Sequence, residues 1–368
     1  MTIRIGVPLE TTAGERRVAL VPDGVKLLTK AAHVVAVQRG AGQSAGFPDA
    51  AYRDAGAEIV DTAFDGAQII VKVQRPSPAE AATIPEGAVV VSLLGPGPDA
   101  AALPALLAGR RATFLALERV PRITRAQSMD VLSSQSTVAG YKAVLIAASA
   151  SPKLFPMLTT AAGTLAPSRV FVLGAGVAGL QAIATARRLG AVASAFDVRP
   201  AAREQVQSLG ATFIAAEAVS DTAEVAGGYA RAQSDEEQRR TLAAIAEHLP
   251  TIDVVIATAQ IPGRPAPRLV TAAMVRAMRA GSVIVDLAAE TGGNCELTRP
   301  GETVEAGGVT VIGPVNVAAT VPYHASQMLG KNMVTLLQHL IADGALRIDL
   351  TDEITKAMTL THDGEVRG

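Results

Sequence analysis

The chain has little of what several function classes need. Among its 368 residues there is one cysteine, Cys295, and no tryptophan; aromatic residues make up 3% and histidines number five. A lone cysteine excludes an intrachain disulfide, and so few histidines leave a structural zinc site without a ligand set. Cys295 itself reads as a buried, inert thiol. The shortage of aromatics removes the stacking platforms that single-stranded nucleic acid requires. A formal net charge of −1 offers no attraction to a polyanion. No apolar run approaches the ~18 residues of a membrane span; the longest lie at about 143–150 and 334–342. The segment Met1–Leu9 lacks the charged start and long apolar core of a signal peptide and reads as a strand. These absences predict a soluble, intracellular chain, one still able to dock on a membrane partner.

What is present is apolar and regularly punctuated. Hydrophobic residues are 49% and charged residues 18%, enough for real cores, and the length suggests roughly two domains. Short β-branched runs at Ile3–Val7, Val34–Val37, Ile69–Val73, Val89–Leu93 and Thr113–Ala116 alternate with helix-like stretches at Gly24–Ala32, Asp49–Ala55 and Ala100–Ala108. A second series has strands at Arg169–Leu173, Val192–Asp197, Thr212–Ile214, Val254–Ala257, Val283–Asp286 and Val309–Ile312. This alternation is the sequence form of parallel sheets covered by helices. Two long helices bracket the second series. The first starts near Ser133-Ser134-Gln135-Ser136, whose hydroxyls suit N-cap acceptors. The second spans about Tyr323–Ala342, with Met328, Leu329, Met333, Leu336, Leu337, Leu340 and Ile341 at helical spacing. The expected fold is α/β: two Rossmann-like domains with parallel sheets, joined by two long crossover helices. Expected boundaries are 1–132 plus 318–368 for one domain and 133–317 for the other.

One motif carries a ligand expectation. Gly174-Ala175-Gly176-Val177-Ala178-Gly179 has the G-x-G-x-x-G spacing, which alone is weak because glycine is common. Here a strand, Arg169–Leu173, leads into it and a helix, Leu180–Leu189, follows. A second strand then ends on Asp197, roughly 20 residues on. Gly174 suits a tight turn, Gly176 a close backbone approach to a pyrophosphate, and Gly179 close helix–strand packing. Asp197 can accept from the hydroxyls of an adenosine ribose and would repel a 2′-phosphate, which favours NAD over NADP. Arg199, two residues further, argues the other way. A glycine-rich turn without ligand is the plain alternative.

The segment Pro121–Asp130 holds two arginines, a glutamine and an aspartate just ahead of Ser133. Read plainly, it is a solvated interdomain loop with a helix cap. Read functionally, Gln127, Asp130 and Ser133 offer the donors and acceptors that a nicotinamide carboxamide needs.

The run Arg122–Ser136 closely resembles the NAD(H)-binding domain I of proton-translocating transhydrogenase. The resemblance continues through Gly174–Ala186, Ala226–Ala230, Ile261–Pro267 and Asp286–Asn294 and covers nearly the whole chain. It implies that Arg122, Ile123, Thr124, Gln127, Ser128, Met129 and Asp130, with Ser133 beside them, meet the nicotinamide end of NAD(H). It also implies that this loop faces a partner domain carrying NADP(H). Ala226–Tyr229 matches a mobile loop that closes over nucleotide, with Gly228 in its hinge and Tyr229 near its tip. Arg122, Gln127, Asp130, Ser133 and Tyr229 form the implied hydride-transfer set. Val198 and Arg199 flank the ribose site with Asp197. Gln260 stands where the family has an aliphatic residue. The implied partners are a second copy of the chain, an NADP(H)-binding subunit or domain, and a membrane-spanning proton-channel subunit. A chain with no membrane helix would then be peripheral on the cytoplasmic face through those partners.

Alanine dehydrogenase shares the two-domain fold, and Arg17 and Lys72 match its substrate-binding positions. Oxidising an amino acid moves protons as well as a hydride and demands a placed acid or base. Leu93 stands where that enzyme has a histidine, and Glu290 where it has an aspartate. Hydride exchange between two nicotinamides needs no such group, only contact, orientation and exclusion of water. Arg17 and Lys72 then read as relics of the shared fold or as ion-pair members. The alternatives kept are a stand-alone amino-acid dehydrogenase and a non-catalytic NAD-sensing module.

Overall fold

The structure is a computed structural model. It describes residues 2–215, 234–261 and 264–367, and between 216 and 233 only the backbone of Glu224–Val225 and Tyr229–Ala230. The chain folds as two compact units, Met1–Gln135 with Ala318–Gly368, and Ser136–Val317.

In the first unit, strands β1 (Arg4–Val7), β2 (Val34–Gln38), β3 (Glu58–Val60), β4 (Ile69–Val71), β5 (Val89–Ser92) and β6 (Thr113–Ala116) pair in parallel. Their order is β3-β2-β1-β4-β5-β6. Every residue of β4, β5 and β6 is buried, as expected of strands covered on both faces, where apolar residues run on instead of alternating.

The second unit opens on an antiparallel hairpin, β7 (Leu158–Thr160) and β8 (Gly163–Leu165). Its main sheet holds β9 (Arg169–Leu173), β10 (Val192–Phe196) and β11 (Thr212–Ile214). A short pair, β12 (Glu224–Val225) and β13 (Tyr229–Ala230), precedes β14 (Val254–Ala257), β15 (Val283–Asp286), β16 (Thr303–Ala306) and β17 (Val309–Ile312). The sheet order is β11-β10-β9-β14-β15-β17-β16, parallel except for the edge strand β16. Along β9, Val170 and Val172 enter one core while Phe171 and Leu173 enter the other, the period of two that a strand imposes. The tail returns to the first unit as β18 (Ile341–Ala342), β19 (Ala345–Leu346), β20 (Thr359–His362) and β21 (Glu365–Val366), with β20 antiparallel to β6.

Both sheets have the α/β form that the sequence predicts, and both long helices are present, at Val131–Ala150 and Pro322–Leu340. One local expectation is corrected. The serine cluster does not cap the first long helix. Asp130 does: its Oδ1 accepts from the Ser133 amide at 2.9 Å and its Oδ2 from the Ser133 hydroxyl at 2.6 Å. The carboxylate is the better acceptor for first-turn amides, so Ser133 lies inside the helix as a donor. Further along, Gly140 lets this helix approach the glycine turn; a Cβ there would stand 2.1 Å from the Ala178 carbonyl oxygen. Among the described residues no helix is long and apolar enough to cross a membrane.

Candidate functional site

In each sheet the strand order reverses once, between β1 and β4 and between β9 and β14. Such a reversal splays the loops at the carboxyl ends of the two strands and leaves a crevice.

At the second reversal, Gly174 follows β9 with φ +93°, a backbone angle that side chains resist. The Thr258 hydroxyl, just beyond β14, donates to the Gly174 carbonyl at 2.8 Å. A Cβ on Gly179 would lie 1.8 Å from that same carbonyl oxygen, so only glycine lets helix and strand meet here. Gly176 is the opposite case: no described atom lies within 4 Å of where its Cβ would stand. It is also the N-cap of the helix Val177–Arg188 and has no side chain to satisfy the first-turn amides. Open space above uncapped amides and a positive dipole end suits an anion.

Asp197, at the tip of β10, is 5% exposed. Its Oδ2 accepts from the Ala175 amide at 2.7 Å and from an Arg199 terminal nitrogen at 2.8 Å. Its Oδ1 accepts from the Arg199 amide at 2.8 Å and Nε at 2.9 Å. The two residues that argue against each other in the sequence are therefore a bound pair. Val198 between them packs on the apolar cluster around Phe171 and Phe196. Beyond β14, the buried side chain of Asn294 grips the Ala259 backbone at both amide and carbonyl, at 3.0 and 2.9 Å, and the Pro267 carbonyl at 2.8 Å. Sequence reasoning gave Asn294 no role of its own; its place inside Asp286–Asn294 was the available signal. The Gln260 side chain is exposed and donates to the Leu287 carbonyl at 3.1 Å. Gly228, the loop 226–228 and the side chain of Tyr229 lie outside the described residues.

In the first unit the polar segment forms a 3₁₀ turn, Thr124–Met129. Ala126 and Met129 anchor it in the core, so Met129 offers a ligand only its backbone. Arg122, Thr124, Gln127 and Ser128 face solvent, Ile123 and Asp130 are half-buried, and Asp130 is engaged as the cap. Two contacts hold the segment from outside. Asn332 Nδ2 donates to the Ser128 carbonyl at 2.8 Å, and Arg125 pairs with Asp352 at 2.5 Å. Asp352 also caps the last helix and meets His339 Nε2 at 3.1 Å.

The crevice of the first unit is filled by charge. Lys72, directly after β4, is 1% exposed, with Nζ 2.9 Å from Glu80 and 3.7 Å from Glu10. Arg17, 3% exposed, clasps Glu15 at 2.8 and 2.6 Å and donates to Gln135 at 2.8 Å. Burial pushes the Glu10 carboxyl up to about 7 despite Lys72 and the amides of Val73 and Gln74. Burial would also raise Glu15, but hydrogen bonding and charge from Arg17, with Gln74, hold it down at about 2. Leu93 packs against the core of this unit. Glu290 accepts from the Asn316 amide at 3.3 Å. Cys295 is buried in the second unit, its amide donating to Asp286 at 2.9 Å, and burial pushes its thiol up.

A doubly wound sheet with a glycine turn, an uncapped helix N-terminus and an acid at the second strand tip defines a protein of the Rossmann class. The chain belongs to the alanine dehydrogenase/PNT family: the family's N-terminal domain matches residues 6–139 and its C-terminal domain residues 143–368. It is 46% identical to the first of the separately encoded pieces of the NAD(P) transhydrogenase alpha subunit of Rhodospirillum rubrum, over 99% of this chain and 97% of that one. A transhydrogenase from Sinorhizobium meliloti, solved by crystallography, superposes with a TM-score of 0.89 at 47% identity, covering 99% of this chain and 100% of the other. The alanine dehydrogenase of Mycobacterium tuberculosis is 31% identical over 81% of this chain and 76% of its own.

Proposed function

We propose that this chain is the NAD(H)-binding component of a proton-translocating transhydrogenase. Hydride passes directly between NADH and NADP⁺ held on a partner subunit or domain, and a membrane-spanning partner couples the exchange to proton movement. The observation that carries this reading is the likeness to a transhydrogenase alpha subunit along 99% of the chain, against 81% at lower identity for the dehydrogenase.

In this reading Gly174, Ala175, Gly176, Val177 and Gly179 cradle the pyrophosphate, while Asp197, Val198 and Arg199 take the adenosine ribose. Gln260 contributes backbone near the adenosine. Arg122, Ile123, Thr124, Gln127, Ser128, Met129, Asp130 and Ser133 orient the nicotinamide, and Gly228 and Tyr229 close over it. NAD(H) supplies the hydride; no proton has to be managed on this chain, so these residues position and exclude water. Two features support a transhydrogenase over a dehydrogenase. Arg17 and Lys72 are each held by carboxylates of their own unit. Among the described residues, no histidine hydrogen-bonds to Arg122, Gln127, Asp130, Ser133 or the glycine turn; His248, His339 and His362 are engaged by Ser194, Asp352 and Thr113. A homodimer is supported by the hairpin β7–β8 and its approach, where Leu154, Met157, Leu158 and Leu165 are all exposed. The complex would lie on the cytoplasmic face of the membrane.

The test is a mixing experiment with the purified NADP(H)-binding component of a transhydrogenase. NADH dideuterated at C4 is supplied with NADP⁺, and the label in NADPH is read by mass spectrometry. Label transfer is expected only with both proteins present. NADH binding without transfer would leave a sensor. NADH oxidation by this chain alone with pyruvate and ammonia would make it an amino-acid dehydrogenase.

A further inference from the structure

An ionised carboxylate offers about four acceptor positions, and on Asp197 all four are in use. Two are taken by backbone amides, those of Ala175 and Arg199, at 2.7 and 2.8 Å. These amides are fixed by the glycine turn and by the chain leaving β10. The other two are taken by one flexible side chain, the Arg199 guanidinium, at 2.9 and 2.8 Å. A ribose diol also presents two neighbouring donors. A nucleotide that places its ribose hydroxyls on Asp197 therefore has to exchange them, donor for donor, with the guanidinium fork.

We propose that Arg199 is a specificity-determining residue of the ribose subsite, an internal occupant of the positions that the ribose hydroxyls take. The inference rests on the NAD(H) reading above. In the free protein the fork keeps the buried carboxylate satisfied, because a buried charge without partners is costly. When nucleotide arrives, the fork yields those positions and stays tethered two residues away. Its charge is then balanced by Asp197, so a 2′-phosphate gains nothing from the arginine and is repelled by the acid. Selection of NAD(H) over NADP(H) thus belongs to the pair. With the negative charge of Asp197 removed, the same arginine becomes a receptor for a 2′-phosphate, whose dianion suits a guanidinium fork.

The experiment measures binding to the intact chain, using NADH and NADPH fluorescence and calorimetry with 2′,5′-ADP, for the wild type, D197N, R199Q and the double variant. D197N is expected to bind NADPH and 2′,5′-ADP at least about tenfold more tightly than the wild type, a change of about 1.4 kcal/mol. Adding R199Q should abolish that gain. R199Q alone should bind NADH as tightly as the wild type or more so, since the competitor is gone. An equal NADPH gain in D197N and D197N/R199Q would overturn the proposal, because relief of repulsion would then be the whole effect. A tenfold or larger loss of NADH affinity in R199Q would also overturn it. Thermal unfolding checks each variant, and D197S replaces D197N if the amide fails to fold. Failure of the wild-type chain to bind NADH would instead sink the NAD(H) reading itself.

Discussion

The strand order reverses between β1 and β4 in the first unit and between β9 and β14 in the second, yet the two crevices are furnished in opposite ways. In the first, the loop after β1 and the residue after β4 bring Glu10, Glu15, Arg17 and Lys72 into a buried network with Glu80 and Gln135. In the second, the loop after β9 is glycine and alanine, and the space over Gly176 is clear. The topology that makes a ligand crevice in α/β sheets is present twice. Side chains decide whether the crevice is filled by the protein or kept for something else, so fold position alone does not assign function.

Substitutions can break or sharpen this contrast. The largest effect is expected from Arg17→Met, which strips Glu15 of its partner while its side chain stays buried. Breaking a buried pair on one side costs about 3–5 kcal/mol, to be read by urea unfolding. A tenfold loss of NADH affinity in the folded variant would dissolve the contrast, because the filled crevice would then serve the nucleotide. Gly179→Ala comes next. Its Cβ would collide with the Gly174 carbonyl, and overpacking against backbone costs about 3 kcal/mol, with NADH binding lost as well. Normal stability and binding in this variant would show that the turn is not as tight as its geometry requires.

Glu10→Gln sharpens the contrast through pH. Unfolded, Glu10 titrates near 4.5; folded, it is raised to about 7. The stability tied to its protonation is full below the lower value and is lost as pH rises through the upper one. A glutamine cannot ionise, so the variant should gain on the wild type by about 2 kcal/mol between pH 5 and 8. A pH-independent difference would mean that Lys72, Arg17, Glu15 and Glu80 leave Glu10 an ordinary carboxylate. The smallest effect is Gly176→Ala. With nothing nearby to strike, it should leave unfolding unchanged. The methyl group would occupy the approach of the pyrophosphate and weaken NADH about tenfold, about 1.4 kcal/mol.

The central strands are legible because strands buried on both faces are written as unbroken apolar runs, as at Val89–Ser92 and Val254–Ala257. Strand β3 and the antiparallel additions β16, β20 and β21 are not. β3, β16 and β21 are half-exposed, so no apolar run marks them. β20 is mostly buried but pairs with β6 far back in the sequence, a contact that no local window holds. The start of the first long helix is ambiguous in sequence because Asp130 and Ser133 are both good caps, and only the geometry shows which accepts. The glycine turn is legible from spacing. The pairing of Asp197 with Arg199 is not, since two residues of opposite charge at i and i+2 carry no statement of which way they point. The filled crevice is hidden for a similar reason: Glu10, Lys72 and Glu80 meet only once the sheet is assembled.

The single thiol has a practical consequence. Cys295 is buried behind the second unit's sheet and its thiolate is disfavoured, so a maleimide or disulfide reagent meets it only when that region opens. Its labelling rate is a built-in clock for local opening, with no competing cysteine to correct for. A nucleotide seated over Gly176 should slow that clock in proportion to its occupancy. Cysteines introduced at the surface, by contrast, would react at once and could carry dyes without any background to remove.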